Sequence, residues 1–278
     1  MSQIVRQPLI FTAIIITLLI TGCTRFFFQP SSTLLVDPAQ FDIEYENIHF
    51  ASADKLSLHG WWFPAQNKSK ALVLFLHGNA QNISTHASAV HWLTQHQFDV
   101  FIFDYRGYGL SEGSPELGMV ISDIYQAYDY ARKRIGSDQK LFVIGHSLGA
   151  SMGIYSIANR PDGIDGAIFI SPFSDYRDIT QHALAGSWLT WAFQWPFSLT
   201  INNDYRPLDY VQKLPRLPLL YLYSEADEVI PPAQVKALFE KTNQPKFIQQ
   251  TQGTHSSLFD IQGNRDIILK YLNNWLDQ

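Results

Sequence analysis

One cysteine, Cys23, stands in a chain of 278 residues. No disulfide can therefore form within the monomer. Charge is also scarce: Asp, Glu, Lys and Arg make up 16% of the chain and the net charge is -5. No long Lys/Arg run occurs, so nucleic acid is not an expected partner. Internal repeats and low-complexity tracts are missing too. The longest early apolar run, Leu9 to Ile20, is interrupted by Thr12, Ala13 and Thr17. It is short for a membrane span, which needs about 20 residues. What is abundant is core material. A 46% hydrophobic and 14% aromatic composition describes a well-cored globular protein, and the length suits one large domain or at most two small ones.

From Phe41 onward the pattern is rhythmic. Ile43 to Phe50 and Leu56 to Phe63 alternate as two strands around a Ser52-Ala53-Asp54-Lys55 turn. Ala71 to Leu76 is a continuous apolar run, as expected of a strand buried on both faces. The spacing predicts a helix from about Ser84 to Gln95 and a strand at Val100. A second helix is expected over Leu117 to Ile135, stopped by Gly136. Further strands are expected at Leu141 to Ile144, Ala167 to Ile170, Leu217 to Tyr223 and Lys246 to Gln249. Helices are expected over Ala233 to Lys241 and Asp266 to Leu276. Strand alternating with helix means an α/β fold around a mostly parallel sheet.

The rhythm breaks over residues 172–216, too long for an ordinary loop. Trp188, Trp191 and Trp195 fall on one face of a helix that Pro196 would end. Such a helix packs its stripe on the core, or caps the sheet with its inner face walling an apolar pocket.

Within this frame the run Leu141-Phe142-Val143-Ile144 enters Gly145-His146-Ser147-Leu148-Gly149 and leaves as a helix. A strand, an abrupt turn and a helix are the context of a nucleophile elbow. The strained turn demands small neighbours, and the Leu148 amide and helix dipole would face an oxyanion there. Gly109-Leu110-Ser111-Glu112-Gly113 matches the same pattern. Its strand ends well before the serine and Pro115 follows it, so Ser111 is expected in a loop.

A serine hydroxyl needs a base, and an elbow of this kind takes its partners in the order acid, then histidine. Of nine histidines, His182 and His255 lie downstream of Ser147. His182 falls in the 172–216 insertion; His255 follows the last strand in a small polar loop and is the better base. Glu225, Asp227 and Glu228 compete for the acid, just after the strand ending at Tyr223. The second oxyanion donor should come from His77-Gly78-Asn79-Ala80, with the Asn79 amide beside that of Leu148. His77 is expected to brace that loop, and His146 to pack or line the pocket.

His-Gly-Asn-Ala, Asp-Tyr-Arg-Gly-Tyr-Gly-Leu-Ser-Glu-Gly, Gly-His-Ser-Leu-Gly-Ala, Ser-Pro-Phe, Asp-Glu-Val-Ile-Pro-Pro and Gly-Thr-His occur in this order. Together they resemble the α/β-hydrolase superfamily from about Ile43 to the C-terminus. They look most similar to a branch of small, membrane-associated serine hydrolases related to protein depalmitoylases. The resemblance implies Asp227 as the acid, because the family places an Asp just before a hydrophobic-Pro pair. It implies ester or thioester cleavage through an acyl-Ser147 intermediate on a small or lipid-like acyl substrate, with no cofactor. A peptidase of the same fold uses the same parts, and a catalytically inactive lipid-anchored binding protein is the alternative from another class.

The N-terminus reads separately. Arg6, the apolar run and Leu19-Ile20-Thr21-Gly22-Cys23 resemble a bacterial lipoprotein signal. The resemblance implies a signal peptide over 1–22, lipidation at Cys23, a tether over 23–40 and a domain over 41–278. Thr24 stands where an aspartate would retain the protein at the inner membrane. The implied place is therefore the cell envelope, on the periplasmic face of the outer membrane in a Gram-negative cell. Phe26, Phe27 and Phe28 would rest on the bilayer or pack on the domain. A metal site is not expected: His86, His91 and His96 step by five residues, about 140° of helix turn each, and share no face.

Overall fold

The computed structural model describes residues 27–187 and 189–277. The predicted signal, Cys23, Phe26 and Trp188 lie outside the described residues. Eight strands form one sheet: β1 (Glu46–Ala51), β2 (Ser57–Phe63), β3 (Ala71–Leu76), β4 (Phe98–Phe103), β5 (Lys140–His146), β6 (Gly166–Ile170), β7 (Leu219–Ser224) and β8 (Lys246–Thr251). Their spatial order is β1-β2-β4-β3-β5-β6-β7-β8. β2 is antiparallel to both β1 and β4, and every other pairing is parallel.

β3 and β5 sit at the centre, which explains their unbroken apolar sequences. Leu72, Leu74, Leu141 and Val143 face one layer; Val73, Phe75, Phe142 and Ile144 face the other. The first layer is covered by α1 (Leu117–Ile135), α2 (Leu148–Asn159) and α4 (Pro232–Lys241). The second is covered by α5 (Gln262–Leu276) and the turns after β3. Trp275 of α5 is buried against Phe142 at 5.9 Å between ring centroids; a cavity in its place would cost about 3–5 kcal/mol.

Two local expectations are corrected. The helix expected over Ser84 to Gln95 is a four-residue turn, Ile83–His86, followed by 3-10 turns at Ala87–Ala89 and His91–His96. Thr85, Ser88, Val90, His91 and Thr94 favour helix weakly, and Val90 (φ -137°, ψ -21°) interrupts it. Burial of Val90, Trp92 and Leu93 holds the segment instead. Pro196 does not end the cap helix; it lies inside the short helix Gln194–Ser198, in a first turn whose amides need no intrahelical partner. The 172–216 segment otherwise contains α3 (Tyr176–Ala185), a 3-10 turn at Trp191–Phe193 and a short helix at Pro207–Tyr210.

The segment ahead of β1 lies along the domain. Phe27 and Phe28 are buried, Phe27 against Phe173 and Tyr176 and Phe28 against Tyr108. Gln29–Pro30 pairs in parallel with Ala80–Gln81. Among the described residues no helix is long and apolar enough to cross a membrane.

Candidate active site

Ser147 stands between β5 and α2 at φ 54° and ψ -119°, a backbone region that an L-residue enters only when its surroundings compel it. The compulsion is visible. Its N–H donates to the Ile170 carbonyl at 2.9 Å, and its own carbonyl accepts from Ser151 N–H. A Cβ on Gly145 would come within 2.6 Å of the Ala150 Cα, and one on Gly149 would run into the Leu76 and His77 carbonyls. Both glycines let α2 press onto the ends of β3 and β5. The N–H of Leu148, in the first turn of α2, has no intrahelical partner.

Asp227 and His255 come from the loops after β7 and β8. Asp227 Oδ1 accepts from the N–H groups of Val229 and Ile230 at 2.9 and 2.8 Å. This turn tucks the carboxylate inward and leaves it buried. His255 Nδ1 lies 2.9 Å from Asp227 Oδ2 and 3.0 Å from Oδ1. Burial opposes ionisation of Asp227, but the His255 hydrogen bond and charge and the Ile230 amide outweigh it, holding the carboxyl below its ordinary value. The other two acids point elsewhere. Glu225 pairs with Lys236 at the surface, while exposed Glu228 accepts from the His255 N–H at 3.1 Å.

Ser147, His255, Gly78, Asn79, Leu148 and His146 all line one cavity of about 490 Å³, a size suited to a small-molecule ligand. Phe27, Phe173, Ile179, Ala183, Val229 and Ile230 supply its apolar wall. Asn79 is held from two sides: its side chain accepts from the Gln29 N–H at 2.8 Å and its carbonyl from the Tyr108 hydroxyl at 2.6 Å. Gly78 packs so closely that a Cβ would lie 3.3 Å from His146 Nδ1 and 3.7 Å from the Ser147 Cβ.

The floor of this site is a group of histidines that the sequence disclosed only in part. His77 stacks on Tyr105 at 4.0 Å and on His86 at 5.1 Å, and its Nδ1 bonds the Gly78 carbonyl. His146 Nε2 lies 3.2 Å from the His255 carbonyl, and the two rings are 4.7 Å apart. Burial first, then neighbouring imidazoles, push His77 and His146 well below the ordinary histidine value; burial also lowers His86. All three are neutral near pH 7.

The tryptophans are a correction. Trp191 and Trp195 do not line this cavity; both are exposed. Trp191 sits in a 3-10 turn and Trp195 in the short helix that follows it, so no single helix carries their stripe over Ser147. α3 walls the cavity in its place, through Ile179, Thr180 and Ala183. His182 lies on the exposed side of α3, beside a separate hollow with Glu228 and Val229. Phe27, Gln29 and His86 were not anticipated as lining. Nothing local marks them, since they reach the site only through packing and the short pairing at Ala80–Gln81.

The Hydrolase_4 family, described as serine aminopeptidase S33, matches residues 67–207. The uncharacterized protein YfhR of Escherichia coli K12 is 30% identical over 265 residues, 90% of this chain and 88% of YfhR. A lysophosphatidylserine lipase of Danio rerio, ABHD12, is 31% identical over 196 residues, 67% of this chain and 51% of that protein. In structure the chain is similar to the Pyrococcus furiosus esterase Pf2001, with a TM-score of 0.73 at 20% identity over 89% of this chain and 99% of the esterase. With half of its length matched by the family, a relative as similar as YfhR and the sheet order described above, the chain belongs to the Hydrolase_4 family and is a hydrolase of the α/β-hydrolase superfamily.

Proposed function

We propose that this protein hydrolyses carboxylic esters or thioesters through an acyl-Ser147 intermediate. One observation carries the reading: Ser147, strained at the elbow, shares a cavity with a His255 that is clamped by an ionised Asp227. His255 takes the Ser147 proton as the hydroxyl attacks the acyl carbon, and Asp227 holds the tautomer and stabilises the imidazolium. The Leu148 and Asn79 amides receive the oxyanion. The leaving group departs with the proton from His255. Water, activated by the same imidazole, then frees the acid and restores Ser147.

The cavity wall favours a neutral acyl group over an amino-terminal peptide. Among its described lining residues there is no Asp, Glu, Lys or Arg, whereas a peptide amine needs a carboxylate to receive it. Two similar proteins, an esterase and a lipase, act on bonds of this class by their names.

Hydrolysis of p-nitrophenyl esters from acetyl to palmitoyl by the full chain, beside Ser147→Ala, tests the proposal. Activity that vanishes in the variant is expected, with the chain-length optimum sizing the cavity. No turnover on any ester, together with no labelling of Ser147 by an organophosphonate probe, would overturn it in favour of a binding protein. The envelope tether belongs to the same proposal, with Cys23 lipidated and the domain on the periplasmic face of the outer membrane. A fatty-acid label that persists in Cys23→Ala would end that part.

A further inference from the structure

The cap turns its apolar side outward. Leu189, Trp191, Phe193, Trp195 and Leu199 are 62–68% exposed, while Ser198 between them is buried, its hydroxyl bonded to Gln181 and to the Trp195 carbonyl. A water-facing helix does the reverse. No Asp, Glu, Lys or Arg occurs between Asp178 and Asp204, so nothing charged blunts the patch. A cluster of this kind is an interaction surface rather than scattered exposure.

Two further observations say what covers it. The patch packs on α3, with Thr190 bonded to the Leu184 carbonyl, and α3 supplies Ile179, Thr180 and Ala183 to the Ser147 cavity. The cavity wall also includes Phe27, which packs on Tyr176 at the start of α3. Cys23 stands only four positions before Phe27, and the apolar run ends at Ile20. Four residues span at most roughly 14 Å. A lipid on Cys23, as the tether proposal has it, would thus enter the bilayer within that reach of Phe27 and of the cavity whose wall is formed in part by α3, the helix on which the aromatic patch packs.

We propose that the Leu189–Leu199 face docks in the interface of a lipid bilayer, so that the Ser147 cavity opens toward the membrane and takes amphiphilic esters from it. Tryptophan suits that depth, with an apolar ring and an N–H that stays wet. Lacking charge, the patch should bind through apolar insertion and be indifferent to salt. The docking rests on the membrane tether, and the substrate source rests on the ester-hydrolase reading.

The test uses the full chain reconstituted in phosphatidylcholine vesicles whose acyl chains carry bromine. Trp188, Trp191 and Trp195, the three tryptophans of the 172–216 segment, serve as native reporters, because the other four, Trp61, Trp62, Trp92 and Trp275, are buried in the domain. Bromine should quench a fluorescence component that Trp188→Phe/Trp191→Phe/Trp195→Phe removes, unchanged by high salt. Leu189→Ser/Phe193→Ser/Leu199→Ser should abolish this quenching. The same variant should hydrolyse a vesicle-embedded long-chain ester at least about tenfold more slowly, with soluble p-nitrophenyl acetate turned over as before. Protein that floats with the vesicles but shows no quenching overturns the docking and leaves the tether intact. Failure to float overturns both. Cross-linked dimers lost in the triple variant, without quenching, would make the face a contact between copies and overturn the docking. Quenching without ester turnover would sustain the docking and sink the ester reading.

Discussion

Two stretches of this chain carry the same Gly-x-Ser-x-Gly pattern, and their serines are equally buried, at 8% exposure each. Everything else about them differs. Ser111 donates to the Asp104 carbonyl at 2.6 Å and accepts from the His59 N–H at 2.9 Å, so both functions of its hydroxyl are spent on the backbone. Ser147 is held by its own backbone, and its hydroxyl faces a cavity shared with His255. The glycines differ likewise. Gly109 and Gly113 have positive φ, 51° and 89°, and shape a loop. At the other motif the serine itself takes the positive φ, and the glycines only make room. A motif therefore acts through which of its residues the fold strains.

The largest difference should appear on substitution of the serines. Ser147→Ala should lower kcat/KM for an ester by at least about 10⁴-fold, with the thermal midpoint nearly unchanged, because alanine keeps the Cβ and the same backbone conformation. Ser111→Ala should leave kcat intact and cost about 1–3 kcal/mol, because a buried carbonyl and amide lose their partner. Equal activity losses in the two variants would erase the distinction.

The comparison extends to the acids beside His255. Asp227→Asn should cost about 10³–10⁴ in kcat, while Glu225→Gln, whose carboxylate pairs only with exposed Lys236, should stay within about threefold. Steady-state kinetics on one ester decides between them, and a large Glu225 effect would reassign the acid.

Gly149→Ala should destabilise by more than about 3 kcal/mol, since the new methyl meets the Leu76 and His77 carbonyls, which cannot move aside. Gly113→Ala should cost about 1–2 kcal/mol, for its positive φ and a contact with the end of the flexible Leu56 side chain. Urea titration ranks them; the reverse order would mean that the elbow is looser than its contacts.

The smallest effect is pH dependence. His77, His86 and His146 have folded-state values below the ordinary 6.5, so the unfolded chain binds more protons. Their contribution is complete above about pH 6.5 and is lost as pH falls below it. Asp227, with a value below the ordinary 3.8, adds stability present above about pH 4 and lost below that. Denaturation in the window from about pH 6.5 to 5 should be shallower in His146→Phe than in the parent.

The sequence disclosed what is decided locally. β3 and β5 are apolar throughout because both faces are covered, so their runs were legible. So were Ser147, flanked by glycines between a strand and a helix, and His255, the one histidine following the last strand. Asp227 as the candidate acid required the family resemblance, since three acids crowd the loop and only the turn through the Val229 and Ile230 amides sets it apart beside His255. The broken helix after β3 was misread, because long-range burial of Trp92 and Leu93 outweighs local propensity there.

By itself the sequence determined the fold class, the elbow and the order of the candidate site residues, because strand burial and turn strain are written in neighbouring side chains. Only the tertiary structure decided that Phe27 walls the cavity and that His77, His86 and His146 gather neutral beneath it. It alone turned Trp191 and Trp195 outward rather than over Ser147. Those outcomes depend on which distant surfaces meet, and a side chain's burial is settled by the partner that covers it.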